Sequence, residues 1–365
     1  MNDTTMKLLN LINEGKTVNE ISEILKLSNK AIFCRLNMLR NAGYNFKRLY
    51  YSDGNIVYSN GADMAWYNEK NNGVNLITKD NKIDAIVISD IHFGSKYEIE
   101  GIMDRIYNYC ISNGIHIILF GGDLVDGTFG NVKRIDNIDE QLAYIMKKYP
   151  FDKSIINFGV LGDHDYSIFK ANSRDISLLF SNYRHDIVPL GYYIGKLNIG
   201  NDILTFWHGS KKNYLSKKKN DVIPSNDITS RRVALLGHLR NSFSIVNYGS
   251  NTLIKLPSLS GLRDDDEFLP SAIRIRISLN NDIFSHILVN QLLIGEKIYS
   301  INEFNQDFAS SKKQDYRKLL GKISYNEVYK SSDFIDTDED NFEEEIDIFD
   351  KTDEEVNTKV LTKKL

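Results

Sequence analysis

The chain has 365 residues, 42% hydrophobic and 26% charged, which is enough for two domains and a substantial core. Its two cysteines, Cys34 and Cys110, exclude a disulfide-stapled scaffold and a cysteine-rich zinc site. No apolar run approaches a membrane span and the first residues do not read as a signal peptide, so no membrane contact and a cytoplasmic location are expected. The net charge of −4 is uneven: residues 331–365 carry 13 acidic residues and 4 lysines, which leaves the rest of the chain mildly basic.

Along residues 1–60, Leu8, Leu9, Leu11 and Ile12 form a short apolar face closed by Gly15. Thr17 reads as the N-cap of a second helix carrying Val18, Ile21, Ile24 and Leu25, and Ser28 as the N-cap of a third carrying Ile32, Leu36 and Leu39. Strand-like runs at 46–51 and 56–58 flank Asp53-Gly54, a hairpin turn signal. Three short helices and a hairpin are the parts of a winged helix-turn-helix. Val18–Tyr44 also resembles helix-turn-helix sequences in its Ile-x-x-x-Leu pairing, its turn at Leu27-Ser28 and its closing Ala42-Gly43-Tyr44. The resemblance implies DNA binding, with Lys30, Arg35 and Arg40 on or near the recognition helix and Lys47 and Arg48 at the wing. The alternative is a small packing domain, or one that pairs two copies into a homodimer.

Residues 61–82 read as a linker. From 83 to 298, strand-like apolar runs alternate with longer segments, the pattern of an α/β layered domain. Near its end Ile273, Ile275, Ile277 and Leu279 alternate with polar residues, and a turn at 280–282 leads to a second run, so an antiparallel hairpin is expected. Residues 299–330 are ambiguous, with helix as the expectation. The acidic tail, 331–365, has too few apolar side chains to offset ordering entropy and is expected to be disordered. A segment that docks on a basic protein partner, or folds back on the chain's own basic surface, is the alternative.

Five apolar runs of the α/β region end in Asp or His. They lead to Asp90-Ile91-His92, to Gly122-Asp123, to Gly162-Asp163-His164-Asp165, to His208, and to Gly237-His238-Leu239-Arg240. Ligands of open α/β sheets collect beyond the carboxyl ends of the strands, so these distant positions are expected to converge. Any one such residue reads as an ordinary loop residue, whereas the ordered set does not. Carboxylates and imidazoles without thiolates suit Mn, Fe, Zn or Ni. A shared Asp can bridge two ions about 3.5–4 Å apart, the arrangement that clamps a phosphoryl group.

The ordered set D-x-H, G-D, G-[ND]-H-[DE], H and G-H-x-x resembles the signature of the calcineurin-like metallophosphoesterases, over about residues 84–260. The resemblance implies two packed mixed β-sheets flanked by helices, preceded here by the small winged helix-turn-helix domain. It implies two divalent metal ions, Mn first, with Fe, Zn, Ni or Mg as alternatives. Asp90 and His92 would hold the first ion, Asp123 would bridge, and Asp163, His208 and His238 would complete the second. His164 would protonate or stabilise the leaving oxygen, and Asp165 would orient it. SDIHFGSK (89–96) and GDLVDG (122–127) look most like the DNA-processing branch. That branch includes the nuclease subunit of double-strand-break repair complexes and the small exonuclease subunit of archaeal family-D DNA polymerase.

Two positions depart from the pattern. Asp163 stands where Asn is usual, and Arg240 stands where a second His would hold the first ion. Arginine stays cationic and offers no lone pair, so it either weakens that site or grips the substrate phosphate itself. Between His208 and His238 lie Lys211, Lys212, Lys217, Lys218 and Lys219, which read as contacts to a polyanionic backbone or as a solvated loop. The leading expectation is a metal-dependent phosphodiesterase acting on DNA, a nuclease. A degenerate, DNA-bound accessory protein and a nucleotide or phosphoprotein phosphoesterase are the alternatives.

Overall fold

A computed structural model describes residues 3–61, 73–129, 134–209, 232–238, 243–248, 251–261 and 269–308. At the N-terminus, helices α1 (Asp3–Asn13), α2 (Val18–Leu25) and α3 (Asn29–Asn41) precede strands β1 (Phe46–Tyr51) and β2 (Ile56–Asn60). The two caps work as read. Thr17 Oγ1 accepts from Glu20 N at 3.1 Å while Glu20 Oε2 accepts from Thr17 N at 2.8 Å, and Ser28 Oγ accepts from Ala31 N at 3.2 Å.

Strands β3 (Val74–Ile77) and β4 (Lys82–Ile88) follow, then α4 (Ile102–Ser112), β5 (Ile117–Phe120), α5 (Ile138–Lys148) and β6 (Ile156–Leu161). Next come α6 (Asp163–Asn172), α7 (Ile176–Tyr183), β7 (Ile187–Tyr192), β8 (Ile194–Ile199) and β9 (Asp202–His208). The described chain ends with β10 (Arg232–Gly237), β11 (Ser244–Tyr248), β12 (Asn251–Lys255), β13 (Ser271–Asn280), β14 (Ile283–Ile294) and β15 (Ile298–Asp307).

The strands form two mixed sheets. One runs β15-β14-β13-β4-β5-β6-β7 and the other β11-β12-β10-β9-β8-β3-β1-β2. Alternation along each strand assigns the layers. Ile83, Ala85 and Val87 of β4 face the core shared by the two sheets, while Ile86 and Ile88 face the helices α4 to α7. In β13, Ile273, Ile275, Ile277 and Leu279 join the shared core, and the expected hairpin with β14 forms. The α/β sandwich of two mixed sheets therefore matches the expected class. Among the described residues no helix is long and apolar enough to cross a membrane.

The N-terminal segment is not set apart from the sandwich. Strand β1 pairs in parallel with β3, Tyr50 opposite Leu76, and β3 pairs with β8, so the hairpin is the rim of the eight-stranded sheet. The linker expected over 61–82 is thus corrected: β3 lies inside it, with Val74 and Leu76 buried. Two apolar positions among asparagines are too short a pattern to read locally. The helical expectation for 299–330 is also corrected over its first residues. Strand β15 pairs antiparallel with β14 through residue 307, and its exposed edge carries polar side chains that mask a strand pattern. The remainder of that segment and the acidic tail lie outside the described residues.

Helix α3 rests on α7. Asn37 Nδ2 donates to Asn182 O at 2.5 Å, and the Phe33 ring stacks on His185 at 4.3 Å between centroids. Ile32, Leu36 and Leu39 are buried, and Lys30 is exposed. Arg35 and Arg40 are half-buried, and Arg35 Nη1 donates back to Ala31 O at 3.2 Å. Arg48 is a correction: it points inward with Phe46 and Tyr50 and is 6% exposed, while Lys47 points out. The two-residue period of β1 decides this.

Candidate metal centre

The carboxyl ends of β4, β5 and β6 from one sheet and of β9 and β10 from the other meet at one edge of the sandwich. Asp90 and His92 follow β4, Asp123 follows β5, Asp163 opens α6 after β6, His208 ends β9, and His238 follows β10. The loops are laced together by backbone bonds, Asp90 N to Gly122 O at 3.0 Å and His92 N to Asp123 O at 3.1 Å. Asp90, His92, Asp123 and His238 all have φ between 52° and 78°. That left-handed region is disfavoured for residues with a β-carbon, so the surrounding bonds must hold these four residues in place.

Two donor groups result. Asp123, Asp163, His208 and His238 offer atoms all within 4.8 Å of one another, and so do His92, Asp123 and His164. Asp123 belongs to both. Asp90 adjoins them, its Oδ1 3.9 Å from His92 Nε2 and its Oδ2 accepting from His238 N at 3.2 Å. Every metal-ligand candidate named from sequence therefore reaches the same place.

The residues fit divalent cations. His208 Nδ1 donates to the Gly121 carbonyl at 2.6 Å, which leaves the Nε2 lone pair turned into the site. Nε2 lies 3.1 Å from Asp123 Oδ2 and 3.0 Å from Asp163 Oδ1. Asp123 Oδ2 is fully buried yet has no well-aligned hydrogen bond among the described residues, as expected of an oxygen that faces a cation. Gly162 is a cradle: a β-carbon there would sit 2.1 Å from Asp123 Oδ1 and 2.6 Å from His208 Nε2.

Electrostatics agree. Burial disfavours the His208 imidazolium, but the Asp123 and Asp163 carboxylates overcome this and raise its pKa well above the ordinary value. Burial likewise opposes charge on Asp163, and hydrogen bonds from His208 and His238 outweigh it and hold the carboxyl well below its usual range. The cluster thus seeks positive charge, which protons on the imidazoles or bound cations can supply.

His164 stands beside this cluster, its ring 4.5 Å from that of His92. Its Nδ1 lies 2.6 Å from the Asp126 carbonyl, which can only accept, so Nδ1 carries a proton and Nε2 is the ring nitrogen left for the site. Asp165 does not orient it. Its carboxylate accepts instead from the backbone amides of Gly162, Val125 and Leu124 at 2.9, 3.0 and 3.2 Å, because a residue at the third position of α6 reaches back to the start of its own helix. Burial, then the Asp123 charge, push its carboxyl up to about 7.

Sequence reasoning missed Asp126, whose carbonyl sets the His164 tautomer and whose Oδ1 lies 3.8 Å from His92 Nδ1. The quoted run GDLVDG contained it. Phe129, whose ring meets His164 edge-on at 5.2 Å, was missed as well. Arg240 and Lys211, Lys212, Lys217, Lys218 and Lys219 lie outside the described residues.

Residues 83–275 match the calcineurin-like phosphoesterase family, and the chain belongs to it. Among solved structures it is similar to a conserved uncharacterized protein of Streptococcus pneumoniae, at 16% identity and a TM-score of 0.34, over 62% of this chain and 98% of that one. It is also similar to the zinc complex of Vps29 from Entamoeba histolytica, at 13% identity and a TM-score of 0.36, over 62% of this chain and all of that one. The nuclease MPE of Pseudomonas putida is similar at 13% identity and a TM-score of 0.32, over 70% of this chain and all of that one. No curated protein matches the chain.

Proposed function

We propose that the chain is a metal-dependent phosphodiesterase that hydrolyses the DNA backbone. The observation that carries the reading is the sharing of Asp123 between two donor groups, one of which includes His164. Asp90, His92 and Asp123 would hold one cation, and Asp123, Asp163, His208 and His238 the other. Bound divalent cations supply Lewis-acid charge at the phosphoryl group and acidify the attacking water. The chain's own residues do the rest. The Gly121 and Asp126 carbonyls fix the tautomers of His208 and His164. His164 then delivers a proton from Nε2 to the departing oxygen. Manganese is the first candidate metal.

DNA as the substrate is supported by the basic body of the chain and by Lys30 and Lys47, which are exposed on α3 and β1. In this reading α1 to α3 and the β1–β2 hairpin act as a winged helix-turn-helix that holds the duplex. A catalytically degenerate, DNA-bound accessory protein is the second reading, favoured by Arg240 at the position where the family motif has a histidine. The deciding experiment incubates full-length protein with labelled single-stranded and duplex DNA, with Mn²⁺ or chelator, beside Asp123→Asn. Metal-dependent cutting that the variant lacks supports the first reading. Intact DNA with a retained band shift selects the second.

A further inference from the structure

Tyr192 ends β7 in one sheet and Ile194 begins β8 in the other, so the chain crosses between sheets at Tyr193. Its φ is 66°, a conformation that a β-carbon disfavours. The backbone is clamped there: Tyr193 N donates to Leu161 O at 2.8 Å and His208 N donates to Tyr193 O at 2.7 Å. Those partners end β6 and β9, the strands that deliver Asp163 and His208.

The clamp fixes the Tyr193 backbone between the ends of β6 and β9, and burial and then the Asp163 charge push its phenol pKa up. Tyr166 lies three residues beyond Asp163 on α6 and so shares its face of the helix. The Tyr166 and Tyr193 rings are 5.7 Å apart at 64°, and Phe169, 40% exposed, tilts against Tyr166 at 5.8 Å. Lys170 places its ammonium 6.0 Å from the Tyr166 ring centre. Neither ring is fully buried. Among the described residues, the hydroxyls of Tyr166 and Tyr193 have no hydrogen-bond partner, whereas Tyr192 next door donates to Asp175 at 2.9 Å. Tyr166 also meets the Tyr192 ring at 5.2 Å, so the half-buried rings, which make no use of their hydroxyls, belong to one aromatic cluster that presents part of its apolar faces to solvent. Such faces bind nucleobases, and all bases present a matching one.

We propose that Tyr166 and Tyr193 form a stacking step for the base next to the phosphate held at the Asp123 centre, so that the site takes single-stranded DNA in preference to intact duplex. A base in a closed duplex is already stacked on its neighbours and cannot use the step. Lys170 supplies a cation for the adjoining phosphate. The inference rests on the phosphodiesterase reading above and narrows its substrate.

The test uses full-length protein and a single-stranded oligonucleotide carrying 2-aminopurine, with Ca²⁺ replacing Mn²⁺ so that binding is read without cleavage. Stacking quenches the 2-aminopurine fluorescence. Tyr193→Asn, which tolerates the left-handed backbone, and Tyr166→Leu are expected to abolish the quench and weaken single-strand binding about tenfold. Tyr193→Phe and Tyr166→Phe are expected to keep both, because the hydroxyls have no partner. Duplex affinity should move less than about twofold in the same variants. An unchanged quench in Tyr193→Asn and Tyr166→Leu, an equal loss on duplex, or no single-strand binding by the unaltered protein would overturn the proposal. Hydrolysis of bis(p-nitrophenyl) phosphate by the unaltered protein separates the two levels of inference. If no cation supports it, the phosphodiesterase reading fails; if it proceeds while the quench is insensitive to the rings, only the stacking step fails.

Discussion

The hydroxyl of Tyr58 on β2 and Nδ1 of His185, between α7 and β7, share a hydrogen bond of 2.5 Å in the fully buried seam where the N-terminal hairpin meets the phosphoesterase core. Among the described residues His185 Nε2 has no hydrogen-bond partner. Burial, with the Arg48 and Arg40 charges behind it, depresses the imidazole from an ordinary 6.5 to about 3. The unfolded chain therefore binds a proton between those values that the folded chain refuses. Stability from this source is complete above about pH 6.5 and falls as the pH drops toward 3, by about 1.4 kcal/mol per unit. Urea midpoints at pH 7.5 and pH 5 should show a steeper loss in the unaltered protein than in His185→Gln. Equal losses would remove His185 from the acid response.

Asp123→Asn keeps the shape of the shared ligand and removes its charge. Metal content after dialysis against Mn²⁺ is expected to fall below one ion per chain, and turnover of a small diester by about 10³-fold. A variant that retains two ions would contradict a bridging role.

His164→Ala tests proton delivery. A p-nitrophenolate leaves without help, whereas a deoxyribose oxygen does not. The loss should therefore be about 10²–10⁴-fold on DNA and much smaller on bis(p-nitrophenyl) phosphate. Parallel losses on both substrates would assign His164 to metal holding alone.

Gly162→Ala inserts a methyl group 2.1 Å from Asp123 Oδ1. The loop or the carboxylate must move, so metal affinity should fall at least about tenfold, read by titration calorimetry. Binding as tight as that of the unaltered protein would show that the cradle is not needed.

Much of this site could be read from sequence because the ligands fall at, or within a few residues of, the ends of buried strands, a signal local to a few residues. Asp90 after Ile88-Ser89 and His208 after Phe206-Trp207 are of this kind. The tautomers of His164 and His208 could not be read, since they depend on carbonyls 38 and 87 residues away. Arg48 is intermediate: its place between Phe46 and Tyr50 predicts an inward side chain, and the pull of a basic pair at an expected wing obscured it. The joining of the hairpin to β3 rests on the pairing of Tyr50 with Leu76, a register that no window of adjacent residues encodes.

The strand order β9-β8-β3-β1-β2 sets four inter-strand steps between the strand ending in His208 and the outer strand of the hairpin. At about 4.8 Å a step, this is an offset of about 19 Å spanned by a single hydrogen-bonded lattice. A load taken up by the N-terminal helices passes into that lattice as it would through a bracket bolted to a wall. The sandwich thus behaves as a ruler whose zero mark is the metal edge and whose far mark is the hairpin.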